Sequence, residues 1–441
     1  MRSSGLSERC ATESGNAMLE LLNNQLVFRF PEVHPECMLT VTLHRTLRIP
    51  DDGKEYPLPP SLGHFPMVHV DDYKTKVSPK WVGRGGVMVP MYQSEALWFS
   101  LHPHYVSDRG APYPFAIKCA TGKVSALTGK EWSKKLKADD YMVAPGQPWL
   151  DGYVVADGTV RQFVAAPLGL GVTAEGQITG KEEFGGLQLE VLPMLLEKFE
   201  AKYPKVSRQI TNSMRRSMRA HGMGVTGPTG PTGATGASGP VGPAGMMGGQ
   251  MYCSNELKGI KTASLISESS VTFNMVAESM EQPLRMRKDY AGEVELSERG
   301  DEGLEIGAQL DMGLAAGGRM KQQVFKDPHG IEVWDRKHKT RVFIHMANSI
   351  GWQHVTGSLP PHPPMSASDY TSHGFPWFDY YEENAKSQSG TDKLKGLKSL
   401  AELQKEKKLP LLPENQSTTV SSKQTVKLKT HKNEVRDGSW K

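Results

Sequence analysis

Gly224, Gly227, Gly230, Gly233, Gly236, Gly239, Gly242, Gly245 and Gly248 recur at every third position without a break. That period is the signature of the collagen triple helix, in which three polyproline-II chains meet at an axis that only glycine fits. An ordinary glycine-rich linker has no reason to keep it. With so few triplets, two readings stand side by side: a trimeric collagen-like segment held together by its flanking regions, and a semi-extended single-chain spacer. On either reading the tract divides the chain.

A chain of 441 residues is longer than one hydrophobic core usually serves, which predicts two globular regions joined by connecting segments. Before the tract, apolar residues alternate with polar ones in Leu39–Thr40–Val41–Thr42–Leu43–His44, in Phe115, Ile117 and Cys119, and in Leu187, Leu189 and Val191, the pattern of strands with one buried face. Residues 120–123 turn the chain back towards Val124 and Ala126 as a hairpin, and Val160 to Ala166 reads as a strand buried on both sides. After the tract, Val271–Val276 and Arg341–Met346 read as strands, while Asn348 or Ser349 caps a short helix that stops at Gly357.

The fold class expected is therefore mainly β (α+β): two β-rich regions of sandwich or barrel type, separated by a helix and the Gly-X-Y tract. The boundaries read as 1–194 for the first β-rich domain, 195–221 for a basic helical segment, 222–250 for the collagen-like linker, 251–383 for the second β-rich domain, and 384–441 for a largely disordered tail. In the helical segment Met194 to Phe199 starts a helix that breaks near Pro204, and Ser207 caps a second with Ile210, Met214 and Met218 on one face.

Charge is concentrated in the tail, with 13 Lys and Arg against 6 Asp and Glu from Asn384 onwards, while the net charge of the whole chain is only +4. An acidic partner is expected for such a tail, and nucleic acid is a weaker candidate because the remainder of the chain is acidic. Leu394, Leu397, Leu400 and Leu403 form one helix on this reading. The four cysteines are scattered without a C-x-x-C pair, and no apolar stretch reaches membrane-spanning length, so a reducing, cytoplasmic location without membrane insertion is expected.

Candidate chemistry is sparse. Gly317, Gly318, Arg319 and Lys321 could form an anion-binding turn, offering backbone N–H groups and two cations, although their spacing is neither a P-loop nor a dinucleotide fingerprint. His102 and His104 fall on one face of a strand, but Pro103 weakens that strand and no third ligand is nominated, so no metal is assigned. Glu293, Glu295, Glu298, Asp301, Glu302 and Glu305 read as a solvated acidic face. The segment from Pro360 to Tyr381 is dense in aromatic residues and reads as the lid of its domain's own core, or else as a recognition groove. No catalytic residue or cofactor is specified.

The segments WLDGYVVADGTVRQFVAAPLGLG, ITGKEEFGGLQLEV, MGLAAGGRMKQ and GFPWFDYYEE together resemble an uncharacterised family of soluble microbial proteins sometimes labelled integral membrane proteins. That resemblance implies no reaction, cofactor or site residue. The threonine-rich tract is similar to those of bacterial and viral collagen-like proteins, where such runs act as stalks or trimerising spacers. The function expected is that of a structural or interaction protein, possible homotrimer included. The alternative is an enzyme or small-ligand-binding protein with a site in or between the β-rich domains, and the minor one is nucleic-acid association through the tail.

Overall fold

A computed structural model describes residues 18–205, 311–380, 386–409 and 417–428, together with the backbone of the strands Met251–Leu257, Ile260–Ser267 and Ser270–Val271. All nine glycines of the Gly-X-Y tract, Gly224, Gly227, Gly230, Gly233, Gly236, Gly239, Gly242, Gly245 and Gly248, and with them the collagen-like axis expected there, lie outside the described residues. The helix expected from Ser207 and the acidic cluster at 293–305 lie outside them too, as does most of the strand expected over Val271–Val276.

The protein is mainly β, as its alternating segments require. A 16-stranded sheet dominates it, with the order Met18–Leu22, Gln25–Arg29, Met38–Leu47, Glu95–Pro103, Thr159–Pro167, Asp311–Lys321, Thr340–Ala347, Leu187–Pro193, Phe115–Thr121 and Val124–Ser125 along its main path. Neighbours on that path are antiparallel throughout. Shorter strands branch from it: Trp149–Leu150 continues the edge of Glu95–Pro103 where Thr159–Pro167 leaves it, and Gly152–Ala156 joins Thr159–Pro167.

This order corrects the division at the tract. Asp311–Lys321 and Thr340–Ala347, expected in a second β-rich domain at 251–383, sit in the middle of the sheet between two strands of the first. One continuous apolar cluster accordingly runs from Leu26 to Leu397. Residues 206–310 connect Lys205 to Asp311, both of which belong to this body. Of this segment, Met251–Leu257, Ile260–Ser267 and Ser270–Val271 pair as an antiparallel three-stranded sheet.

The tail is corrected as well. Residues 386–409 and 417–428 are folded, and the single helix expected over the leucines is two: Leu394 lies in Asp392–Lys395, Leu400 and Leu403 lie in Leu400–Glu406, and Leu397 lies between them. The second starts with a capping box, Ser399 accepting from the Glu402 N–H while the Glu402 carboxylate accepts from the Ser399 N–H. Its Leu400 and Leu403 pack on a small-residue patch of Ala96, Ala166 and Ala315. The last described strand, Thr425–Leu428, runs parallel to Trp377–Tyr380. The aromatic lid is core: Tyr370 and Trp377 are buried, their rings 5.9 Å apart and edge to face.

Helix Ser349–Thr356 follows its caps closely. The Asn348 side chain accepts from the Gly351 N–H at 2.7 Å, and Gly357 closes the helix in the left-handed conformation, φ 73°.

Candidate functional site

The anion-binding turn expected at Gly317, Gly318, Arg319 and Lys321 is instead part of the strand Asp311–Lys321. Arg319 pairs with Arg161 and Ala316 with Phe163, so Gly317 and Gly318 together oppose Gln162 alone. That is a β-bulge, and its glycines answer to close packing. A Cβ on Gly318 would lie 2.4 Å from the Pro50 carbonyl oxygen, and one on Gly317 would lie 2.6 Å from Val164 Cγ1. Arg319 and Lys321 point to solvent from either side of Met320.

Backbone N–H groups do converge on an anion elsewhere. Gly169, Gly171 and Thr173 all donate to the Glu182 carboxylate, as does the Thr173 hydroxyl, at 2.6–2.9 Å. Burial would raise the Glu182 pKa, but these donors outweigh it and hold it below the ordinary value. The chain's own side chain fills this cradle.

The histidines meet on the polar face of two adjacent strands. Met38–Leu47 and Glu95–Pro103 pair with Thr40 opposite His102, Thr42 opposite Ser100 and His44 opposite Trp98. The alternation in this segment is real, yet its polar positions are buried too: Thr42, His44, Thr46 and Ser100 are each 1% exposed. Every one of them is hydrogen-bonded inside. Thr42 accepts from Gln25 at 2.9 Å, Thr46 donates to the Pro60 carbonyl at 2.8 Å, and His44 bonds Ser61 through Nδ1 and Ser100 through Nε2, at 3.0 and 2.9 Å. His104 Nε2 bonds Thr40 at 2.8 Å.

Burial holds the His44 pKa well below its ordinary value, and His64 and His102 add to the effect. The ring is therefore neutral near pH 7, with one nitrogen donating to a serine and the other accepting from one. It stacks on Trp98 with centroids 3.8 Å apart and planes at 5°, and meets the exposed His64 edge to face at 4.9 Å.

Among the described residues, ligand-type atoms of His34, Glu36 and Asp108 come together within 4.8 Å of one another. Each of the three already has partners within the chain. Asp108 faces Lys205 at 3.3 Å and Arg109 at 3.6 Å, Glu36 accepts twice from Ser107, and His34 Nδ1 accepts from the Glu36 N–H.

Beyond Trp98 lies a small cavity of about 10 Å³, lined by Leu58, Pro59, Trp98, Trp149, Phe378 and Asp151. It is room for roughly one water-sized occupant. Asp151 is 3% exposed, its N–H donates to Gln322, and its carboxylate accepts from the Trp149 side chain. Its second oxygen, Oδ2, has no hydrogen-bond partner among the described residues. Sequence reading passed over Asp151. The available signal was an acid enclosed in an otherwise apolar run, Trp149–Leu150–Asp151–Gly152–Tyr153–Val154–Val155.

Burial pushes the Asp151 pKa up to about 7, against which the Trp149 hydrogen bond acts only in part; the ordinary value is 3.8. Between those values the folded state keeps a proton that the unfolded chain has released, so stability falls as pH rises from about 4 to about 7. Asp151→Asn removes this contribution, worth at most about 1.4 kcal/mol per pH unit. Urea-unfolding free energies of both proteins across that window check it. A difference between them that stays constant with pH would contradict the assignment.

Comparison with known protein families, with curated proteins and with solved structures returns no match. No helix among the described residues is long and apolar enough to cross a membrane.

Proposed function

We propose that the protein is a structural or interaction protein, a β-rich body that assembles as a homotrimer through its Gly-X-Y segment. The observation that carries this reading is the unbroken glycine period from Gly224 to Gly248, in a segment flanked on both sides by strands of one sheet. A short run of triplets gains stability as a triple helix when flanking structure holds three chains together, because association then becomes effectively intramolecular. The resemblance to collagen-like stalks supports the same assignment, with a cytoplasmic location and an acidic partner for the basic tail as its further expectations.

Sedimentation of the full chain at micromolar concentration is expected to return three times the chain mass. Gly233→Asp together with Gly236→Asp, at axis positions without room for a side chain, is expected to return the monomer with the body still folded. A monomeric wild-type protein would contradict the proposal.

One observation favours a second reading, that of a small-ligand-binding protein: a small cavity lined by Asp151 together with Trp98, Trp149 and Phe378.

A further inference from the structure

We propose that the run from Leu359 to Pro364 is a polyproline-II ligand, displayed for a partner domain that reads proline through a groove lined with aromatic rings. This goes beyond the trimer reading and does not rest on it.

Sequence sets the backbone first. The run reads Leu359–Pro360–Pro361–His362–Pro363–Pro364. Proline fixes its own φ and pushes the residue before it out of the helical region. Leu359, Pro360, His362 and Pro363 all precede a proline, so the chain here favours polyproline II before any partner arrives. Residues 358–366 accordingly form neither helix nor strand.

Tertiary structure then holds the run in place. Gly357 closes the helix before it, and Ser366 caps the helix after it, accepting from the Asp369 N–H at 3.1 Å. Between these ends the Arg45 guanidinium donates to the His362 carbonyl while paired with the buried Glu95, and Met365 packs against the core. A run anchored in this way has little left to order on binding, which lowers the cost of association.

Exposure follows the three-residue repeat of a polyproline-II helix. Pro361 and Pro364 share one ridge, and both are half-buried. Leu359 and His362 share the second and are both exposed, Leu359 to 75%. Pro360, half-buried, and Pro363, exposed, share the third. The two outer ridges thus present Leu359–Pro360 and His362–Pro363, paired dipeptides with the P-x-x-P spacing that aromatic grooves accept. No Lys or Arg stands between Gly357 and Ser366, which leaves Leu359 as the anchoring side chain.

The test immobilises the full chain and passes purified SH3, WW and EVH1 domains over it. Saturable binding of at least one of them is expected, weakened about tenfold or more by Leu359→Ala and by Pro363→Ala. Ile350→Ala, on a side chain 67% exposed in the neighbouring helix Ser349–Thr356, is expected to leave it unchanged. A peptide spanning Ser358–Met365 is expected to compete. The proposal is overturned if no domain binds the wild-type chain, or if binding survives both Leu359→Ala and Pro363→Ala. It is equally overturned if Ile350→Ala weakens binding as much as they do, the contact then being a general apolar one. Should either variant of the run not fold, failure of the peptide to displace the bound domain overturns it. Because the run belongs to the folded body, binding is expected of monomer and trimer alike, so a monomeric protein would defeat the trimer reading and leave this one standing.

Discussion

A fragment ending at Lys205 is expected to be unfolded when produced alone, although it contains most of the strands. In the intact protein Asp311–Lys321 makes eight register pairs with Thr159–Pro167, and Thr340–Ala347 makes five with Leu187–Pro193. Removing both leaves two central strands as open edges and strips Met312, Leu314, Met320, Val342, Ile344 and Met346 from the core. At roughly 1.5–3 kcal/mol for each large apolar side chain, the loss is as large as the about 5–15 kcal/mol by which whole domains are stable. Circular dichroism and amide chemical-shift dispersion check this. A cooperative thermal transition in the fragment would mean that the first region has a core of its own.

Gly318→Ala is expected to destabilise the protein by about 2–3 kcal/mol, because its new methyl group meets the Pro50 carbonyl oxygen at 2.4 Å and Ile49 Cγ1 at 2.9 Å. Part of that obstacle is backbone, which cannot rotate away as a side chain end would. Arg319→Ala and Lys321→Ala, both on exposed side chains, are expected to stay within about 0.5 kcal/mol of wild type. Urea denaturation of the three variants separates the packed bulge from an anion-binding turn. In a turn built to hold an anion, the two cations would matter for phosphate affinity and the glycine would tolerate a methyl group. Equal, small effects at all three positions would contradict the bulge.

Local structure was legible in this sequence wherever local chemistry decides it. Alternation at Leu39–His44, Phe115–Cys119 and Leu187–Val191 marks strands because the strand repeat is two residues, and Asn348 with Gly357 marks a helix because its end groups need partners. Pairing partners were not legible. The neighbour of Thr159–Pro167 lies about 150 residues away, and nothing in either segment encodes that meeting except complementary shape.

Asp311–Lys321 misleads for the same reason that it fits. Its Gly and Ala residues resemble a turn in sequence, yet they are small because neighbouring strands, Pro50 and the Leu400–Glu406 helix come close to it. Thr40, Thr42, His44 and Thr46 mislead in the opposite sense. Polar positions on a strand suggest a solvated face, but these are uncharged and can be satisfied internally by Gln25, Pro60, Ser61, Ser100 and His104. The lack of Lys or Glu at those four positions was the readable clue. In the tail, the excess of lysine hid Ser399-x-x-Glu402, a local capping signal that its spacing announces.

The claim on which the rest depends is that the chain on both sides of residues 206–310 forms one folded body. Proteolysis at a protease site engineered within that segment, followed by gel filtration without denaturant, tests it most directly. The two large products are expected to co-elute and to melt in a single transition, since the strands they contribute alternate in one sheet. Two products that separate on the column, each melting on its own, would contradict the interleaved fold.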